Sequence, residues 1–102
     1  MDKVSEEIKE YIENNDVVLF MKGTKNIPMC GFSGKIVYIL ENLLVAFLDV
    51  NVLEDEAIRE GIKKFSDWPT IPQLYVRGEF IGGCDIVTQL YNEGELQKLL
   101  QT

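Results

Sequence analysis

The chain has 102 residues, of which 46% are hydrophobic and 26% charged; this composition is typical of one soluble folded domain and excludes a wholly disordered chain. It contains no histidine and only two cysteines. Histidine-dependent catalysis, histidine-ligated metals, a disulfide scaffold and a four-cysteine metal site within one chain are therefore excluded. The formal net charge of −7 argues against a nucleic-acid partner, because an acidic surface repels phosphates.

Nothing in the sequence predicts a membrane protein. No apolar stretch approaches the ~20 residues that span a bilayer. The first residues, Met1 to Glu7, resemble neither a secretory signal nor an arginine-rich transit peptide. We therefore expect a cytoplasmic protein, or an organellar one from which a presequence has been removed, with residues 1–102 forming a single domain.

The first half of the chain predicts a helix, a strand and a second helix. Apolar residues recur with helical spacing from Val4 to Ile12, until residues 14–16 break the pattern. Residues 17–21 form a continuous apolar run, which indicates a central strand covered on both faces. After a loop, helical spacing of apolar residues returns over 31–44.

The second half predicts a strand at 47–50, a helix over 54–65 and a strand in which Leu74 and Val76 alternate with polar residues. A tight turn at 77–80 leads into a short last strand. The strand–helix–strand unit implies parallel pairing with a right-handed crossover, and the later hairpin adds antiparallel pairing. The predicted fold class is therefore α/β, with a mixed four-stranded sheet and helices on both faces.

Two helices are predicted to close the chain. Residues 82–83 are both glycine and end the last strand. Asp85 is a suitable N-cap for a helix that runs through Tyr91, and Gly94 suits its C-terminus. A final short helix covers residues 96–100.

Cys30 is the first candidate for chemistry, because it falls where a loop meets the second predicted helix. Unpaired N–H groups and the helix dipole favour an anion there, so we expect the pKa of this thiol to lie below the free-thiol value, with Lys22 adding positive charge. The alternative is an inert, buried cysteine.

Ser33 stands where a Cys-x-x-Cys motif has its second thiol. Cys30 therefore cannot form the usual local disulfide, and an external or distant thiol must resolve any mixed disulfide. Alternatively, Ser33 is simply a polar residue of the first helical turn.

Two further segments are candidates for ligand contact. Pro69 and Pro72 enforce an extended turn before a strand, where a cis Pro72 would expose the peptide of Ile71; the local sequence alone favours trans. Residues 82–85 begin with two glycines, which let the backbone approach a ligand closely. A helix is predicted to start at Asp85, and the N-terminus of a helix can bind an anion. A plain turn with a buried Cys84 explains that pattern equally well.

These motifs together resemble the monothiol glutaredoxins of the CGFS type. The similarity lies in residues 30–33 (CGFS), 21–24 (MKGT), 68–76 (WPTIPQLYV) and 82–87 (GGCDIV), and it covers nearly the whole chain. The chain resembles a single-domain member of that family. The resemblance implies a thioredoxin fold and a cis Pro72.

The resemblance also implies a glutathione site. Lys22 and Arg59 would bind the glycine carboxylate of glutathione, and the backbone of Ile71 would pair with its cysteinyl peptide. The N–H groups of Cys84 and Asp85 would bind the γ-glutamyl carboxylate, and the Asp85 side chain would bind the amine.

Two positions depart from the family pattern. Ile71 stands where phenylalanine is frequent, which leaves the backbone contact but changes the packing beside the ligand. Gly34 stands where the family often has a better helix former.

The function that the resemblance favours is a carrier of [2Fe–2S] clusters. Such a cluster typically needs four ligands, often all thiolates, and two chains with two glutathione molecules supply four when Cys30 is the ligand in each. This predicts a cluster-bridged homodimer. The family implies BolA-like proteins and apo iron–sulfur proteins as further partners.

Two other functions remain open. A monothiol, glutathione-dependent thiol–disulfide oxidoreductase would use Cys30 to attack a glutathionylated protein, an activity in which this family is generally poor. A pure binding module would keep its partners after Cys30→Ser.

Overall fold

The computed structural model describes residues 2–101; Met1 and Thr102, the two ends of the predicted domain, lie outside them. In chain order the elements are α1 (Lys3–Asn14), β1 (Val17–Met21), α2 (Gly31–Asn42), β2 (Leu48–Asn51), a 3₁₀ turn (Val52–Glu54), α3 (Glu56–Ser66), β3 (Gln73–Val76), β4 (Glu79–Gly82), α4 (Cys84–Asn92) and α5 (Glu95–Gln101). The predicted order of helices and strands is confirmed. Among residues 2–101, none of the helices combines the length and the apolar character that crossing a membrane requires.

The four strands form one mixed sheet in the order β2-β1-β3-β4. β1 runs parallel to β2, with Val18 opposite Leu48, and antiparallel to β3, with Leu19 opposite Leu74. β3 and β4 form the antiparallel hairpin that the sequence predicts. This is the thioredoxin fold, so the predicted α/β fold class is confirmed.

β1 separates two apolar clusters, because its side chains alternate between the faces of the sheet. Val17, Leu19 and Met21 pack with α2, α4 and α5. Val18 and Phe20 pack on the opposite face with α1 and α3. Every residue of β1 is buried, so the prediction of a central strand covered on both faces is confirmed.

Two predicted helix starts are wrong. Asp85 is not an N-cap: α4 begins at Cys84, and the extended Gly83 precedes it without a side-chain capping bond. An aspartate is favourable both as a cap and within the first turn, so its presence does not define the boundary. α3 begins at Glu56 instead of residue 54, because Asp55 caps it by accepting a hydrogen bond from the N–H of Ile58 at 3.2 Å.

Candidate functional site

A groove of about 550 Å³ lies at one end of the sheet, where α2 and α4 begin. Its walls come from the end of β1, from α3 and from the segment between α3 and β3. The residues that line it include every site residue predicted from the sequence: Lys22, Cys30, Arg59, Ile71, Cys84 and Asp85. The fold therefore brings these six residues together, while their individual roles toward glutathione stay predictions.

Cys30 is the N-cap residue of α2, with an extended backbone and a partly exposed side chain. The N–H of Ser33 is the largest cause that holds the pKa of this thiol below its usual value, and the N–H of Phe32 and the charge of Lys22 act in the same direction. Burial raises the pKa but does not outweigh them. The predicted lowering is confirmed, and backbone N–H groups contribute more to it than the lysine.

Ser33 is fully buried and does not face solvent from the first turn of α2. Its Oγ accepts a hydrogen bond from the N–H of Lys22 at 3.1 Å. This bond connects the chain just after β1 to the helix that carries Cys30. The hydroxyl at this position is therefore a structural link between two parts of the groove.

The loop between Lys22 and Cys30 is held against β2 by side chains of that strand. The N–H of Gly23 donates to Oδ1 of Asn51 at 2.9 Å, and the N–H of Lys25 donates to Oδ2 of Asp49 at 2.8 Å. The Nζ of Lys25 also donates to the carbonyl of Phe47 at 2.7 Å and does not line the groove. Of the two lysines in this loop, Lys22 is the one that contributes its charge to the groove.

α3 contributes two cations to the groove, one more than the sequence predicts. Arg59 and Lys63 stand four residues apart, so they share one helix face, and both line the groove. The Nζ of Lys63 also lies 2.9 Å from Oε2 of Glu60. In the sequence, the four-residue spacing between Arg59 and Lys63 in a predicted helix is the signal that could have identified Lys63 as a site residue.

The segment before β3 forms another wall of the groove and contains the cis Ile71–Pro72 peptide that the resemblance implies. The side chain of Ile71 is 8% exposed and packs into the core beneath α1 and α3. Within residues 2–101, neither its N–H nor its C=O has a hydrogen-bond partner. This peptide therefore remains available to a ligand in the groove.

The N-terminus of α4 closes the end of the groove. Gly83 offers no capping side chain, so within residues 2–101 the first N–H groups of α4, those of Cys84 and Asp85, have no acceptor from an N-cap side chain. A Cβ at Gly83 would stand 3.3 Å from the carbonyl oxygen of Pro72, so the absence of a side chain lets the two walls approach closely. Main-chain donors, the helix dipole and one carboxylate therefore meet at this end.

Three large apolar side chains within three residues of Cys30 in the sequence are exposed. Ile27, Met29 and Phe32, here called the apolar rim, are 68%, 66% and 64% exposed. Exposed apolar side chains that cluster near a reactive group are typical of a contact surface. Among the described residues, no group of three or more His, Cys, Asp or Glu side chains is arranged to hold a metal ion.

Fold and site together define a thioredoxin-fold protein in which a cysteine is the N-cap residue of the helix after the first strand. The family model described as glutaredoxin matches residues 17–81. The chain is 60% identical over 100 residues to a probable monothiol glutaredoxin 2 of Rickettsia felis, covering 98% of this chain and 96% of that protein. It is 52% identical over 96 residues to the chloroplastic monothiol glutaredoxin-S14 of Arabidopsis thaliana, covering 94% of this chain and 56% of that one.

The solution structure of reduced poplar apo GrxS14 superposes with a TM-score of 0.83 at 50% identity, covering 93% of this chain and 87% of that one. The chain belongs to the monothiol glutaredoxin family.

Proposed function

We propose that the chain is a glutathione-dependent carrier of [2Fe–2S] clusters, with the cluster as its cargo. The observation that carries the proposal is that Cys30, a thiol of lowered pKa, lines a groove whose charges suit glutathione. Four ligands are needed, and residues 2–101 of one chain hold no preformed group of them. Two chains with two glutathione molecules complete the set, and ligands that are not covalently part of the protein make the cargo easy to release.

Charge distribution in the groove supports binding of glutathione, which carries two carboxylates and one ammonium group. We place its glycine carboxylate between Lys22 and the Arg59–Lys63 face of α3, where charge-assisted hydrogen bonds are strongest. The unpaired peptide of Ile71 would pair with the cysteinyl residue, which brings the glutathione sulfur toward Cys30.

The start of α4 would bind the other end of the tripeptide. The N–H groups of Cys84 and Asp85 suit the γ-glutamyl carboxylate, and the carboxylate of Asp85 suits the ammonium group beside it. Opposite charges thus meet at both ends of the ligand, which fixes its direction along the groove.

The apolar rim supports the proposed assembly of two chains. A cluster shared by two Cys30 thiolates brings the residues around each thiol together about a two-fold axis. The residues of the rim lie within three positions of Cys30 in the sequence, so we expect dimer formation to cover their exposed apolar surface. After the cluster leaves, the same surface is available to BolA-like proteins or to apo iron–sulfur proteins.

The lowered pKa of Cys30 also supports a second function, glutathione-dependent disulfide reduction. The Cys30 thiolate would attack the glutathione sulfur of a protein–glutathione disulfide and release the protein thiolate. A second glutathione thiolate would then attack the mixed disulfide on Cys30, yielding oxidised glutathione and restoring the Cys30 thiolate.

Anaerobic reconstitution with iron and sulfide, with and without glutathione, tests the carrier proposal. Visible absorption, circular dichroism and native mass should show a [2Fe–2S] dimer only when glutathione is present. Cys30→Ser should remain colourless and monomeric, whereas Cys84→Ser, which keeps the backbone N–H of residue 84, should still bind the cluster. A colourless wild-type monomer under all conditions would reject the carrier and leave the reduction of glutathionylated substrates to be assayed.

A further inference from the structure

A buried glutamine holds the wall of the groove that contains Ile71. Gln73, the first residue of β3, is fully buried and does not line the groove. Its Nε2 donates hydrogen bonds to the carbonyl oxygens of Trp68 at 3.2 Å and Thr70 at 3.1 Å. A buried amide must satisfy its donors, and this one uses both on the same short loop.

The orientation of that amide is fixed from its other end as well. The hydroxyl of Tyr75, a residue that is 2% exposed, donates to Oε1 of Gln73 at 3.3 Å. Burial raises the pKa of Tyr75 to about 12, so the phenol keeps its proton at neutral pH. The two carbonyl oxygens can only accept, so the amide nitrogen has to face them.

This network determines which backbone groups the wall offers to a ligand. Two of its carbonyl oxygens are turned into the protein, toward Gln73, where they cannot repel the carboxylates of glutathione. Ile71 lies between Thr70 and the cis proline, and neither its backbone N–H nor its backbone C=O has a hydrogen-bond partner among the described residues.

We propose that Gln73, oriented by Tyr75, is a positioning residue that sets the loop of residues 68–71 so that the Ile71 peptide can pair with glutathione. The inference rests on the proposed glutathione site and adds to it two residues that do not touch the ligand. Without the amide, the carbonyls of Trp68 and Thr70 lose their donors and are free to turn toward the groove, which would displace the Ile71 peptide.

The test uses the full chain and S-methylglutathione, which has the charges of glutathione but cannot form a disulfide. Tyr75→Phe removes only the hydroxyl, and Gln73→Met removes the amide while keeping the length of the side chain. Tyr91→Phe is the control, because its hydroxyl accepts a hydrogen bond from Asn42 at 2.6 Å and lies outside the groove.

We expect titration by NMR to show affinity weakened a few-fold in Tyr75→Phe, which removes one of the three hydrogen bonds of the Gln73 amide, and roughly tenfold in Gln73→Met, which removes all three. The affinity of Tyr91→Phe should be unchanged. At saturating ligand, the shift change of the Ile71 amide proton should be smaller in Tyr75→Phe than in the wild type. Urea denaturation of each variant separates this effect from stability, since a purely structural network would lower stability and leave both binding readouts unchanged.

Two results would overturn the inference, and they are distinguishable. Wild-type affinity together with a wild-type Ile71 shift in folded Tyr75→Phe would reject the positioning role alone. Absence of S-methylglutathione binding by the wild type would reject the glutathione site itself and the positioning role with it.

Discussion

The N–H of Lys22 donates a hydrogen bond to the buried Oγ of Ser33 at 3.1 Å, across the boundary between the end of β1 and α2. Lys22 contributes charge to the groove, and Ser33 lies in the helical turn that lowers the pKa of Cys30. One hydrogen bond thus links the cation and the thiol of the site. The serine that replaces a second thiol therefore has its own structural role.

Replacing Ser33 tests that role. Ser33→Ala removes the acceptor and leaves the N–H of Lys22 without a partner, so we expect a loss of about 1–3 kcal/mol in the free energy of unfolding. Ser33→Cys keeps a weak acceptor of similar size and should lose less. Urea denaturation under reducing conditions measures both. Unchanged stability in Ser33→Ala would show that water replaces the hydroxyl at this position.

The sequence predicts those site residues that have a local signature, and it does not predict residues whose role depends on tertiary packing. Cys30 and Asp85 were both recognised, because a thiol after a loop and an acid near a helix start have local signatures. Gln73 and Tyr75 alternate with Leu74 and Val76, a pattern typical of a strand with one polar face. β3 is instead buried on both faces, because α1 and α3 cover its second face. Only this packing buries Gln73, whose amide donates hydrogen bonds to the loop of residues 68–71.

The acidity of Cys30 predicts its reactivity as a function of pH. In a Cys84→Ser background, the rate of alkylation by iodoacetamide should rise with a midpoint below that of the same thiol in the urea-unfolded protein, because the fold lowers the pKa of Cys30. Because the pKa is lower in the folded state, ionisation of this thiol favours folding above the unfolded pKa, and that contribution is lost as pH falls through the folded pKa. Lys22→Gln should move the midpoint upward. A midpoint at or above that of the unfolded protein would contradict the lowered pKa.

The cations of α3 predict a charge-dependent affinity for glutathione. Arg59→Gln and Lys63→Gln should each weaken S-methylglutathione binding roughly fivefold, which corresponds to about 1 kcal/mol for a partly exposed ion pair, and added salt should reduce the difference. Lys98→Gln on α5 is the matched control, because that side chain is 74% exposed and pairs with Glu95 outside the groove. Calorimetric titration at two salt concentrations measures the affinity of each variant for S-methylglutathione. Equal affinities for all three variants would show that Arg59 and Lys63 do not bind this ligand.

The end of α2 predicts a substitution that stabilises the fold. Leu44 is 92% exposed and has a φ of 59°, and the N–H of Val45 donates to the carbonyl of Leu40 at 3.0 Å. This is the Schellman arrangement, in which glycine is preferred at the left-handed residue. Leu44→Gly should therefore raise the free energy of unfolding by about 1 kcal/mol, measured by urea denaturation, without changing S-methylglutathione binding. A loss of stability would mean that the exposed leucine packs more than its exposure indicates.

Two helical glycines should respond in opposite ways to alanine. A Cβ on Gly34 of α2 would stand 3.5 Å from the Cβ of Pro28, an ordinary contact, so Gly34→Ala should stabilise the protein by up to ~1 kcal/mol. A Cβ on Gly61 of α3 would clash with Cγ1 of Val4 on α1, and this β-branched side chain has little freedom to move away.

Gly61→Ala should therefore destabilise the protein despite the same gain in helix propensity, because α1 has to shift from α3. Thermal and urea denaturation of both variants measure the contrast, and Gly61→Ala combined with Val4→Ala should recover part of the loss by removing the clashing methyl group. If Gly61→Ala were as stable as Gly34→Ala, the close approach of α1 and α3 would not be the reason for glycine at position 61.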